Sequence, residues 1–122
     1  MKRRTILVVE DDPDIRENLE ELLRGEGYAV HLAGNGQEAL DWLRSTAALP
    51  NLVLLDVMMP VKDGLAFRNE QERDPRLATV PVVMMTADAR IEEKRILLRV
   101  NAAIRKPIDI ELMLRLVEEN LR

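Results

Sequence analysis

The sequence contains no cysteine, one histidine (His31) and one serine (Ser45). The missing thiols exclude disulfide scaffolds, iron–sulfur clusters, cysteine nucleophiles and Cys/His zinc sites. A Ser-His-Asp hydrolase would have to be built from Ser45 and His31, and no Gly-x-Ser-x-Gly turn surrounds Ser45. The aromatics are limited to Tyr28, Trp42 and Phe67, which read as packing residues rather than a platform for stacking bases. No long apolar run exists either. Behind Lys2-Arg3-Arg4 the stretch Ile6–Val9 meets Glu10-Asp11-Asp12 at once, whereas a secretory segment needs about 7–15 apolar residues and a membrane span about 20. A soluble, cytoplasmic protein is expected, with no membrane contact. The 18 basic residues do not outnumber the 22 acidic ones, and the net charge of −4 argues against nucleic acid. Lys2-Arg3-Arg4 reads as a strand lead-in. Chemistry is left to carboxylates, hydroxyls, lysine and arginine.

What is present is ordinary for one globular domain: 122 residues, 47% hydrophobic and 33% charged, enough to bury a core without metal or disulfide support. Short apolar β-rich runs alternate with helical patterns. Strands are predicted over 5–10, 28–32, 52–56, 81–86 and 102–105. Helices are predicted over 12–24, 35–44, 65–72, 91–100 and 109–121. Ile15, Leu19, Leu22 and Leu23 form the stripe of the first helix, with Asp12 as N-cap, Pro13 as first helical residue and Gly25 as its stop. Strands apolar on both faces need cover on both sides. The fold class is therefore α/β: a doubly wound parallel sheet with helices on both faces. The closing helix reaches the end of the sequence, so a single domain over 1–122 without an output module is expected.

In such a sheet, ligands bind beyond the carboxyl ends of the strands. There stand Glu10-Asp11-Asp12 after the first strand, Asp56 after the third, Thr86 after the fourth and Arg105-Lys106-Pro107 after the fifth. Convergent carboxylates repel one another and invite a hard divalent cation, and Mg²⁺ suits one or two carboxylates plus water and phosphate oxygens. A carboxylate can also act as a nucleophile towards phosphorus. A lysine and a hydroxyl are the groups that would hold phosphoryl oxygens. Asp56, alone at the end of a central strand, is the expected nucleophile; Asp11 is the expected metal ligand, with Glu10 or Asp12 as helper. Singly, each residue has a plainer reading: Asp12 as a helix cap, Thr86 as a strand residue, Lys106 as a surface lysine. Delivery of compatible groups from four strands to one edge outweighs those readings.

The motifs ILVVEDD (6–12), LLDVMMP (54–60) with Asp63-Gly64, PVVMMTA (81–87) and Arg105-Lys106-Pro107 together resemble the receiver domain of two-component response regulators, over nearly the whole chain. The resemblance implies a flavodoxin-like five-stranded sheet of order 2-1-3-4-5. It implies that Asp56 accepts a phosphoryl group from a histidine kinase, a phosphotransfer protein or a small acyl phosphate in a Mg²⁺-dependent reaction. Asp11, Asp56 and the backbone carbonyl of Met58 would ligate the metal, with Glu10 acting through water. Lys106 would bind the phosphoryl group, Thr86 would be the switch hydroxyl, Ala87 the small neighbour that leaves access, and the Lys106-Pro107 bond would be cis. Met58 and Asp88 would tune the phosphoryl lifetime. The protein would then be a switch that phosphorylates and dephosphorylates itself rather than an enzyme acting on a pool of substrate. It would control a partner protein, or a second copy of itself, through the face of the fourth helix, fifth strand and fifth helix.

Three stretches depart from that pattern. Ala103 replaces the usual aromatic, so the relay that couples Thr86 to that face is missing. Arg99-Val100-Asn101-Ala102 replaces the usual Gly-Ala-Asp, and Ile108 follows Pro107 in place of Phe. Competing functions stay open at this point. A pseudo-receiver scaffold independent of phosphorylation is kept alive by Ala103. A haloacid-dehalogenase-like phosphohydrolase would want an Asp where Met58 stands. An FMN carrier would want a Ser/Thr/Gly loop where Glu10–Pro13 stands. The apolar residues Ile96, Leu97 and Leu98, with Leu112 and Leu116 beside the stripe Ile110, Met113, Leu114, Val117 and Leu121, read as one broad buried face. A contact patch is the alternative. His31 reads as a satisfied strand histidine.

Overall fold

The computed structural model describes residues 3–58 and 61–121; Lys2 of the basic lead-in and Met59-Pro60 of the second motif lie outside the described residues. The runs richest in Val, Leu and Ile form the strands, as their pleated, doubly covered position demands. They are β1 (Thr5–Val9), β2 (Ala29–Ala33), β3 (Leu52–Asp56), β4 (Val82–Thr86) and β5 (Ala102–Arg105). All pair in parallel in the order β2-β1-β3-β4-β5. The connections are α1 (Pro13–Gly25), α2 (Gly36–Ser45), α3 (Gly64–Arg73), α4 (Ile91–Leu98) and α5 (Ile110–Asn120). Alternate residues of the strands feed two cores. Leu7, Val9, Val53, Leu55, Val82 and Met84 pack with the inner residues of α2 and α3, and Ile6, Val8, Leu52, Leu54, Val83 and Met85 with those of α1 and α5.

Boundaries differ from the sequence reading by a residue or two, each for a local reason. Glu10 lies one residue past β1, its N–H still bonded to the Ala33 carbonyl; Pro81 has no N–H to offer β4. Gly25 completes α1 rather than stopping it, and the left-handed turn falls on Gly27 (φ 94°). Helix α4 stops at Leu98, two residues early, because Arg99 takes the left-handed cap (φ 56°). A 3₁₀ turn at Leu77–Thr79 carried no sequence signal.

Another correction concerns the broad buried face. Met113 and Val117 are buried, and Leu114, Leu116 and Leu121 pack partly against them. On α4, however, only Leu98 is buried: Ile96 is 63% and Leu97 51% exposed. A single helix cannot turn three consecutive residues to one core.

Helix α3 breaks the apolar rule differently. Its inner face carries Gly64, Phe67, Arg68 and Gln71, all buried. Arg68 donates from Nε to the Leu98 carbonyl and from a terminal nitrogen to the Arg99 carbonyl, each at 3.0 Å. Its other terminal nitrogen reaches Gln71 Oε1 at 3.0 Å. Gln71 Nε2 in turn donates to the Leu77 and Val80 carbonyls, both at 3.0 Å. Thus one buried cation caps the last carbonyls of α4, while Arg99 returns to α3 through Glu72 and Asn69. No buried side-chain nitrogen or oxygen among the described residues lacks a partner.

The β3–α3 loop closes where Gly64 N–H donates to the Val57 carbonyl at 3.0 Å. A Cβ on Gly64 would lie 2.8 Å from Val57 Cα, a contact with rigid backbone. Gly64→Ala is expected to cost about 1–3 kcal/mol through overpacking. A urea midpoint equal to wild type would show that the loop relaxes freely.

Candidate functional site

Four strand ends and their loops deliver the site. Past β1, Glu10 is fully buried and Asp11 exposed. Asp56, the last residue of β3, is 3% exposed. Glu10, Asp11 and Asp56 each bring a carboxylate oxygen within 4.8 Å of the others. Lys106, just beyond β5, places Nζ 2.7 Å from Glu10 Oε1 and 3.4 Å from Asp56 Oδ2. Asp56 Oδ1 accepts the Met58 N–H at 3.3 Å. Thr86 is fully buried, and its Oγ1 accepts the Asp88 N–H at 3.1 Å. Its own hydroxyl proton is therefore left for another acceptor.

The electrostatics follow from this packing. Burial pushes the Asp56 carboxyl up, the Glu10 carboxylate beside it pushes further, and Lys106 and the Met58 N–H offset only part, leaving it at about 8. Burial works against the Lys106 charge, yet Glu10 and Asp56 outweigh it and hold the ammonium above its ordinary value. Asp88 lies outside the cluster: the Arg90 N–H and guanidinium, then Lys94, hold its carboxyl low.

The sequence-predicted residues separate cleanly. Glu10, Asp11, Asp56 and Lys106 come together. Asp12 does not join the acids; its Oδ1 caps α1 by accepting the Asp14 and Ile15 N–H groups at 2.9 and 3.2 Å. The Met58 side chain is 65% exposed at the rim. Ala87 is exposed beside Thr86, and Ala103 packs partly buried on the opposite side of β5 from Ile104. The Lys106-Pro107 bond is cis. Beside it opens an apolar cleft of about 290 Å³ between α1 and α5, lined by Ile15, Leu19, Leu22, Ile108 and Ile110. His31 lies far along the edge strand, stacked on Trp42 with ring centroids 4.1 Å apart, and burial holds its imidazole below the ordinary value.

Two arginines that bond main-chain carbonyls escape a pattern reading. Arg68 occupies a core position of α3. Arg16 reaches back from α1 to the Glu10 and Asp11 carbonyls. The sole sequence hint for Arg16 is an isolated cation in an acidic first turn.

The geometry can be set beside known proteins. The family model of the response regulator receiver domain matches residues 6–118. The chain belongs to that family. It is 40% identical over 116 residues to an uncharacterized 14.6 kDa protein in the sodA1 3′ region of Leptolyngbya boryana, covering 93% of this chain and 87% of that protein. It is 40% identical over 84 residues to response regulator Rre1 of Synechocystis, covering 68% of this chain but 36% of Rre1. The chain thus spans about a third of that relative's length. Among solved structures, the receiver domain of sensor histidine kinase PA1611 from Pseudomonas aeruginosa, with a magnesium ion coordinated in its active-site cleft, superposes with a TM-score of 0.86 at 26% identity over 98% of both chains. The receiver is thus a flavodoxin-like fold with its acids at the carboxyl edge of the sheet. No helix among the described residues is long and apolar enough to cross a membrane.

Proposed function

We propose that this receiver accepts a phosphoryl group on Asp56 and works in the cytoplasm as a switch for a partner protein. The observation that carries the reading is the convergence of Glu10, Asp11 and Asp56 around the Lys106 ammonium at one strand edge. The donor set fits Mg²⁺: hard oxygens, three carboxylates against one ammonium, and an Asp56 so short of positive charge that it holds a proton to about pH 8. Asp11, Asp56 and the Met58 carbonyl would hold the ion directly. Glu10, with one oxygen on Lys106, would act through water. When bound, Mg²⁺ supplies neutralisation of the phosphoryl oxygens.

The chain's own residues do the rest. An Asp56 oxygen attacks phosphorus in line, and the bond to the donor's histidine nitrogen, or to the carboxylate of an acyl phosphate, breaks with its electron pair leaving on the donor. Lys106 would donate from its ammonium to a phosphoryl oxygen. The Thr86 hydroxyl donates its free proton to a second oxygen, and Asp88 moves with it through the N–H it now gives to Thr86. Water later attacks phosphorus, releasing inorganic phosphate and regenerating Asp56. Ala87 leaves that water access, and Met58 and Asp88 at the rim set how often it arrives.

The histidine kinase or phosphotransfer protein would dock beside Lys106, where the apolar cleft of α1 and α5 opens. The downstream partner would meet the α4–β5–α5 face, where Ile96 and Leu97 are exposed. The convergence of the acids on Lys106, with Thr86 at the end of the neighbouring strand, speaks against a phosphorylation-independent scaffold. Intact mass after incubation with acetyl phosphate and Mg²⁺ tests the reading. The expected result is one added phosphoryl group, lost without Mg²⁺ and lost in Asp56→Asn. Uptake that survives in Asp56→Asn would overturn the assignment.

A further inference from the structure

In an extended strand, successive side chains point to opposite faces, and successive carbonyls point to opposite edges. Glu10 and Asp11 violate this together. Their carboxylates converge, and both of their carbonyls turn towards one nitrogen: an Arg16 terminal nitrogen lies 2.9 Å from the Glu10 carbonyl and 3.4 Å from the Asp11 carbonyl. The pleat is therefore broken between these residues. The same break that aligns the carbonyls swings the two acids to one side. It begins directly after β1, since Glu10 N–H still donates to the Ala33 carbonyl at 3.1 Å. It ends at the α1 cap, where Arg16 N–H donates to the Asp12 carbonyl at 2.9 Å. Arg16 is anchored in the first turns of α1 and folds its side chain back across the break. Among the described residues, no carboxylate lies within ion-pair distance of it.

We infer that Arg16 is a positioning residue for the cation-binding acids: its guanidinium locks the Glu10–Asp11 kink and so presets both carboxylates towards Asp56. This rests on the proposed reading of the cluster as a Mg²⁺ site. Two physical effects of removing Arg16 have opposite signs. Loss of a positive charge near the acids would tighten Mg²⁺ binding. Loss of the lock would weaken it, because the extended strand would carry one acid away.

Mg²⁺ affinity of the full chain, measured by calorimetry together with the thermal midpoint, separates these effects. Arg16→Met is expected to weaken Mg²⁺ about tenfold, the lower range for residues that orient metal ligands. Arg16→Lys, which keeps a donor and the charge, is expected to recover part of the loss. Amide signals of residues 10–12 should broaden in Arg16→Met without Mg²⁺. Unchanged or tighter Mg²⁺ binding in Arg16→Met overturns the inference, and so does a loss in Arg16→Lys as large as in Arg16→Met. The site reading is checked separately by Asp11→Asn: if that variant binds Mg²⁺ as wild type does, the cluster is not the Mg²⁺ site.

Discussion

Asp56→Asn is expected to melt well above wild type in metal-free buffer at neutral pH. Burial and Glu10 hold the native Asp56 carboxyl at about 8, against an ordinary value of 3.8. Between those limits the folded state keeps a proton that the unfolded state releases. Stability therefore falls as pH rises from about 4 to about 8, and the deficit is complete above that. The shift corresponds to at most ~6 kcal/mol at 1.36 kcal/mol per pH unit. The asparagine amide must itself be buried and loses part of the attraction to Lys106, so a gain of about 2–4 kcal/mol at pH 8 is expected. The gain should shrink towards zero near pH 4, and a series of melts against pH reads it directly. Mg²⁺ should stabilise wild type, by about 1.4 kcal/mol at a tenfold excess over its dissociation constant, and should leave Asp56→Asn nearly unmoved. Equal melting of the two proteins at pH 8 would mean that the carboxyl is not under the strain its burial implies.

Arg68→Met is expected to be the most damaging substitution away from the acid cluster. Methionine fills a similar length, so the loss is polar rather than a cavity. It leaves the Leu98 carbonyl, the Arg99 carbonyl and Gln71 Oε1 without their donor. Buried acceptors left unpaired cost about 1–3 kcal/mol each, and partial access of water to the end of α4 lowers the sum to about 3–5 kcal/mol. For a chain of this size that lowers the melting temperature by roughly 10–20 °C. Arg68→Lys should rescue little, because a point ammonium cannot replace a planar fork that serves three acceptors. Hydrogen exchange should show amides 98–101 opening first. A loss below 1 kcal/mol would show that α4 is capped by other means.

The sheet was legible because its strands are nearly all apolar and each is followed by a helical stripe. The acid cluster was legible because several strand ends deliver compatible groups to one edge of a parallel sheet. What escaped has one common cause. Arg68 and Gln71 lie on the same helical face as Phe67, and a hydropathy pattern assigns such residues to water. Only the coordinates reveal that the end of α4 supplies carbonyls for them. Arg16 escaped for the same reason, since its partners are main-chain oxygens that no sequence displays. Ile96 and Leu97 failed in the opposite sense: apolar residues were assigned to the core although the helix geometry admits one of three. The left-handed Arg99 hid the end of α4 because glycine is the residue that usually marks such a cap.

The bond from Gly64 to Val57 draws the β3–α3 connection tight at its neck. Beyond that neck the loop is moored to its surroundings, by Lys62 to Glu70 of α3 and by the Lys62 carbonyl to the Gly36 N–H of α2. The β4–α4 connection is hitched differently. Thr86 holds the Asp88 amide, and Asp88 grips Arg90 and Lys94 in the first turn of α4. One exit from the acid edge is thus moored at its neck and the other runs bond by bond into α4; with Ala103 providing no side-chain lever, the proposed switch would carry a change at Asp56 along the main chain between residues 86 and 90.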